Sequence, residues 1–130
     1  MELRVGLKGE ARDRVTEENT AIRYGSGSVA VYATPAMIGL MEKASLSSVD
    51  PLLPEGQATV GTRLDVRHLA ATPLGFEVVA RAELVEVDGR RLVFRVEAFD
   101  DREKIGEGLH ERYVITLEKF LRKAEDKKQS

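Results

Sequence analysis

From residue 57 to residue 100 the chain alternates apolar and polar side chains almost without a break, and no other feature restricts its fold as much. Val60, Thr62, Leu64, Val66 and His68 share one face of a strand predicted over 57–70, with Arg63, Asp65 and Arg67 on the other. Over 76–87, Phe76, Val78, Ala80, Ala82 and Leu84 oppose Glu77, Arg81 and Glu83. Over 91–100, Leu92, Phe94, Val96 and Ala98 oppose Arg91, Arg95 and Glu97. A period of two belongs to strands, and one apolar face per strand means a sheet that needs cover on one side. Thr72-Pro73-Leu74-Gly75 reads as a turn and Asp88-Gly89 as a two-residue hairpin, so the strands follow one another antiparallel. A further strand is predicted over 104–116. Strands of this length are about twice the usual, and a sheet made of them twists and curls.

The cover lies upstream. Thr34-Pro35 opens a helix predicted over 35–49, with Thr34 as its cap and Pro35 at the first helical position, where a missing N–H costs nothing. Glu42 and Lys43 are its only charges, and a helix apolar or small nearly all round is expected to be buried on most sides. Asp50-Pro51 ends it. Before it, 9–16 reads as a short strand, Thr16 as the cap of a short helix, Gly25-Ser26-Gly27-Ser28 as a mobile loop or lid, and 29–32 as another short strand. After the last strand, 117–124 carries Leu117, Phe120 and Leu121 on one side, and the tail 123–130 is expected to fray.

One buried helix followed by four long strands gives a single α+β domain over 1–130. A long antiparallel sheet curved around a central helix is a hotdog fold. The helix is shorter than the sheet is wide, so a homodimer, or a multiple of one, is expected to bury the remainder.

Composition narrows the function. With no cysteine, a thiol nucleophile, a disulfide framework and an iron–sulfur or zinc-ribbon site are excluded. A net charge of −2 argues against a nucleic-acid partner. No apolar run is long enough for a signal peptide or a membrane span, so a cytoplasmic setting without membrane attachment is expected. No metal-ligand spacing, GxGxxG or GxSxG is present, so neither a metal nor a cofactor is expected.

Three residues break the pattern. Glu42 sits on a helical stripe with Ile38, Leu46 and Val49. A carboxylate on an apolar stripe is costly unless paired or used, and burial raises a carboxyl's pKa towards the range useful in catalysis. The plain alternative is that Glu42 points into a gap between subunits and pairs there with an Arg or Lys. His68 falls on the strand face that should meet the helix, where a lone histidine is more often a satisfied core residue than a catalyst. An acid on the helix and a histidine on the covering strand together suit acid–base or nucleophilic work. Thr34 as a cap should bond the backbone, yet the helix N-terminus it marks favours an oxyanion.

These residues lie in a pattern that resembles the fluoroacetyl-CoA thioesterase family. The likeness is carried by Ala33-Thr34-Pro35 leading into Met37 to Glu42, Val60-Gly61-Thr62, His68 to Pro73, Val87 to Leu92, His110-Glu111-Arg112 and Leu117 to Phe120, and spans about residues 10–122. It implies a hotdog thioesterase, a hydrolase that cleaves short acyl-CoA to acid and free CoA. It also implies that Thr34, Glu42 and His68 are catalytic, that Gly61 lies near the acyl group, and that Arg112 contacts substrate, with CoA phosphates as candidate partners. Glu42 would be nucleophile or base, Thr34 would position or activate, and His68 would handle protons. The fluoroacetyl-specific branch has phenylalanines before the threonine where this chain has Gly25 to Val29, so a general acyl preference is expected. The rival readings are a hotdog enoyl-CoA hydratase or dehydratase, which also uses an acid and a histidine, and a non-catalytic acyl-CoA-binding domain.

Overall fold

The computed structural model describes residues 3–129. Its framework is a curled five-stranded antiparallel sheet holding one long helix. The strands are β1 (Lys8–Arg14), β2 (Gln57–His68), β3 (Glu77–Asp88), β4 (Arg91–Phe99) and β5 (Lys104–Thr116), in the order β1-β3-β4-β5-β2. The hotdog architecture therefore holds, with one strand more than the four long ones read from the alternation. The short segment β1 joins the sheet at the edge beside β3, with Ala11 opposite Ala80. β2, although long, is the opposite edge.

α1 (Ala21–Tyr24) follows a 3-10 turn at Glu17–Asn19, where Thr16 and Asn19 satisfy each other's backbone N–H groups in a capping box. The expected strand at 29–32 is reduced to two isolated bridges, Thr20 to Tyr32 and Val31 to Pro73. α2 (Thr34–Val49) is the central helix. α3 (Leu117–Glu125) continues into a 3-10 turn through Gln129, so the tail expected to fray from 123 stays helical along its described length.

The core forms where α2 crosses the sheet. Met37, Met41, Ala44 and Val49 meet Val78, Ala80, Ala82 and Leu84 of β3 and Leu92, Phe94, Val96 and Ala98 of β4, all buried. Each large side chain buried there contributes roughly 1.5–3 kcal/mol. Gly9 lets the helix come close to β1: a Cβ there would run into the Ala44 carbonyl. On the outer face, pairs such as Arg95 with Glu83 and Arg91 with Glu111 keep the polar half of the alternation solvated.

The helix is not buried on most sides, as its apolar surface suggested. It lies towards the β1–β3–β4 half of the sheet. Thr34, Pro35 and Gly39 are exposed and Ile38, Glu42 and Leu46 half-buried, so one apolar stripe has no cover within the chain. Residues 61–65 of edge strand β2 are likewise exposed on both faces.

Candidate active site

β2 carries a register slip between Gly61 and Arg63, which makes Thr62 an extra residue relative to β5. A bulge reverses the parity of the residues beyond it. Before it, Thr59 and Gly61 face inwards, opposite Val114 and Arg112; after it, Leu64, Val66 and His68 do so, opposite His110, Gly108 and Gly106. The single face read from the sequence is thus two half-faces. Val60 and Thr62 do not belong to the face that holds Leu64, Val66 and His68, and Gly61 does.

The three anomalous residues form two clusters. In the first, Thr34 Oγ1 and His68 Nδ1 are 2.7 Å apart. Thr34 is the first residue of α2 and Ala33 occupies the cap position, with no side-chain cap bond at that end. The capping role expected of Thr34 is therefore corrected: its hydroxyl turns away from the helix amides because the histidine ring offers a stronger partner. His68 Nε2 is shut off from solvent and has no hydrogen-bond partner among the described residues. Burial holds His68 below its ordinary pKa of 6.5, so the ring is neutral near pH 7. Thr34 and His68 line a cavity of about 390 Å³ whose far wall is the 26–31 segment, with Ser26, Gly27 and Val29. No aromatic side chain from that segment enters it.

The second cluster surrounds Glu42. Its carboxylate lies directly over Gly61, where an added Cβ would stand 2.8 Å from Oε2, 3.1 Å from His110 Cε1 and 3.4 Å from Arg112 Nη1. Among the described residues Glu42 makes no salt bridge within the chain. Arg112 is only 4% exposed. Its Nε donates to Thr59 Oγ1 at 2.8 Å and its Nη2 to the Thr59 carbonyl at 2.9 Å, while Thr59 Oγ1 donates to Asp50 Oδ1 at 2.6 Å. A guanidinium so enclosed does not reach CoA phosphates, and that expectation is corrected. Arg112 presents Nη1 to the Gly61 notch instead.

His110 belongs to this cluster and the sequence reading passed over it. It is fully buried, and burial above all, with a smaller part from the Arg112 charge, lowers its pKa against the opposing hydrogen bond to the Arg63 carbonyl and the charges of Glu42 and Glu111. A signal was present: Gly106, Gly108, His110 and Arg112 occupy successive inward positions of β5, a run with no apolar side chain before Val114.

Both histidines are held neutral by folding, so the unfolded chain binds more protons as pH falls through 6.5. Stability from this source is complete above pH 6.5 and is lost as pH drops towards the lowered folded-state values. Melting curves from pH 7.5 to 5.5 should show a falling Tm that is markedly less steep when both histidines are replaced by Gln. An equal slope in the two proteins contradicts this assignment.

Within one chain the clusters are separated. Thr34 and Glu42 are eight residues apart on α2, about 12 Å along its axis. Gly61 and His68 are about 20 Å apart along β2.

Comparison with known proteins gives consistent results. The family model for the fluoroacetyl-CoA-specific thioesterase, FlK, matches residues 15–118. The fluoroacetyl-CoA thioesterase of Streptantibioticus cattleyicolor is 50% identical over 97 residues, covering 75% of this chain and 70% of that protein. The solved structure of the fluoroacetyl-CoA thioesterase FlK superposes with a TM-score of 0.91 at 41% identity, covering 98% of both chains. A thioesterase superfamily member from Thermus thermophilus superposes at 0.88 with 28% identity, covering 98% of this chain and 97% of its own.

Proposed function

This chain belongs to the fluoroacetyl-CoA-specific thioesterase family, and on that premise we propose that it hydrolyses short acyl-CoA thioesters at sites shared between two copies of the chain. It is a thioester hydrolase: water and acyl-CoA give a carboxylic acid and free CoA. The observations that carry the local chemistry are a carboxylate with no salt bridge among the described residues, Glu42, over a glycine notch, and, in the chain's other cluster, a Thr34–His68 pair held at 2.7 Å.

Glu42 attacks the thioester carbonyl, or draws a proton from the water that does. The Gly61 notch admits the carbonyl carbon to within reach of the carboxylate. His68, neutral at working pH, gives its ring proton to the departing CoA sulfur and regains one through the Thr34 hydroxyl from the water that is split, so that ring and hydroxyl end as they began. A carboxylate, a hydroxyl and an imidazole with water complete this reaction, and no metal or cofactor enters it.

The separation of the clusters supports a homodimer. A two-fold axis passing beside Ile38 and Gly39 of the helices, and beside Leu64 and Asp65 of the β2 edges, sets Glu42 next to Thr34 of the partner subunit. The same axis sets Gly61 next to His68 of the partner subunit. It also covers the apolar stripe of α2 and pairs the exposed edge of β2, two features that a lone chain leaves open. Gly39 has no atom within 4 Å of where a Cβ would stand, so two helices can approach closely there.

For the phosphates of CoA, Arg90, Lys119 and Lys123 form one cluster of cations: they line a cavity of about 230 Å³ with Phe120 and make no salt bridge among the described residues. A cytoplasmic setting is proposed with the substrate, since CoA is polyanionic and does not cross membranes unaided.

The 26–31 wall of the cavity beside Thr34 and His68 presents Ser26, Gly27 and Val29, and Tyr32, which also lines it, is buried with its hydroxyl donated to Asp13, so no ring from the 26–31 segment is placed to discriminate fluorine from hydrogen. The ratio of kcat/KM for fluoroacetyl-CoA over acetyl-CoA should stay below about a hundred, near the most one small pocket contact supplies. A much larger ratio contradicts the general preference. The reaction class is tested by offering crotonyl-CoA and acetyl-CoA side by side: a thioesterase releases free thiol, whereas a hydratase adds water to crotonyl-CoA and releases none. Binding of both without either reaction would leave the acyl-CoA-binding module as the reading.

A further inference from the structure

We propose that His110 is the positioning residue of the Glu42 cluster: in its neutral, Nδ1-protonated form it holds the β2 bulge that turns Gly61 under Glu42 and aims Arg112 at the same point. The proposal rests on the thioesterase reading above, for which His110 has had no role.

Its ring sits on the inward face of β5, opposite Leu64 and next to the bulge. A buried imidazole needs both nitrogens satisfied, and here the partners determine which one carries the proton. Nδ1 is 2.8 Å from the Arg63 carbonyl, which only accepts. Nε2 is 3.1 Å from Arg112 Nη1, which only donates. The proton is therefore on Nδ1, donated to Arg63, and the Nε2 lone pair receives Arg112. Arg63 is the residue at which β2 resumes register after Thr62, so the first bond fixes the far limb of the bulge. Thr62 Oγ1 donates to the Glu111 carbonyl at 3.2 Å and holds the bulged residue itself to β5.

The second bond directs Arg112. Two of its three nitrogens are taken by Thr59, and the third, Nη1, has His110 as its partner. Asp50, at the end of α2, holds Thr59 in turn. The chain Asp50–Thr59–Arg112–His110–Arg63 thus ties the end of the catalytic helix to the bulge through three buried side chains, those of Thr59, Arg112 and His110. Two of its members, His110 and Arg112, converge with Glu42 on one point, the missing Cβ of Gly61. Without a donor at Nδ1 the bulge loses its anchor, and without an acceptor at Nε2 the Nη1 of Arg112 swings away from the notch.

The test uses the full chain in its oligomeric form. Imidazole ¹⁵N spectra should show His110 as the Nδ1–H tautomer, whatever the substrate proves to be; an Nε2–H tautomer overturns the proposal. His110→Asn keeps a donor near Nδ1 but loses the acceptor, and His110→Gln does the reverse. With acetyl-CoA each should lose about tenfold or more in kcat while KM moves less than about threefold, at temperatures well below each variant's own Tm. In a Glu42→Gln background the same changes should cost almost nothing further, because His110 acts through Glu42. Folded variants with parental kcat, or losses that multiply with Glu42→Gln, overturn it. Should neither variant fold, Gly61→Ala fills the notch with His110 intact and should show the same kcat loss at unchanged KM; parental kcat there overturns the proposal equally. If the parent chain itself releases no thiol from any acyl-CoA, the thioesterase reading fails, and the tautomer result still decides the role of His110 in holding the bulge.

Discussion

Glu42→Gln should cost kcat roughly 10²–10⁴-fold, the scale of a positioned acid–base or nucleophilic group. Gln keeps the size of the side chain and can occupy the same place over Gly61, so the substitution removes only charge and nucleophilicity. The carboxylate makes no salt bridge among the described residues and bears on a glycine that leaves it room, so only the longer-range attraction of the buried Arg112 guanidinium holds it in place. Tm should therefore stay level or rise, because the half-buried charge is gone. Thiol release and melting, measured on the same preparations, check both halves. Parental kcat in Glu42→Gln would make the carboxylate a bystander and end the catalytic reading of α2.

His68→Ala should lower kcat by about 10²-fold, less than Glu42→Gln, because the ring moves protons but does not attack. Thr34→Ala should cause a similar loss, since Thr34 Oγ1 is the one hydrogen-bond partner of His68 Nδ1 at 2.7 Å. Two residues that act as a unit lose their function once, so the double variant should be little worse than either single one. Steady-state kcat for the three proteins decides the matter. Losses that multiply would mean that Thr34 and His68 act separately and that their contact is incidental.

How much of this could be read in the sequence depended on how local the cause was. The inward faces of β3 and β4 were legible because alternation runs through Val78 to Leu84 and Leu92 to Ala98 without interruption over the core-facing positions. β2 was misread in one respect: a bulge has no strong residue signature, and one extra residue at Thr62 moves Gly61 onto the inward face and Thr62 off it. Thr34 was noticed for its position, but its partner was misassigned. Sequence weighs a cap against nearby backbone groups and does not show that a histidine 34 residues away arrives in the fold. Arg112 was singled out by resemblance, and only its burial shows that phosphates are out of its reach. His110 goes unassigned in the sequence because a single histidine carries no signal of its own; the informative feature is the run of inward positions on β5 from Gly106 to Arg112 without an apolar side chain. The cover of α2 was overestimated for a different reason: an apolar surface says that something covers it and does not say whether that cover belongs to the same chain.

The same uncovered stripe of α2 bears on the central claim, that Glu42 of one copy works with Thr34 and His68 of the other. The direct measurement is thiol release from acetyl-CoA by dimers reassembled from an equal mixture of Thr34→Ala and Glu42→Gln chains. Each mixed dimer then has one site carrying both substitutions and one carrying neither. With random reassembly the mixture should regain about one quarter of the parental rate, although each parent variant alone is nearly inactive. If the mixed dimers form and the rate stays at the level of the separate variants, all three residues serve a site within one chain and the shared site is wrong.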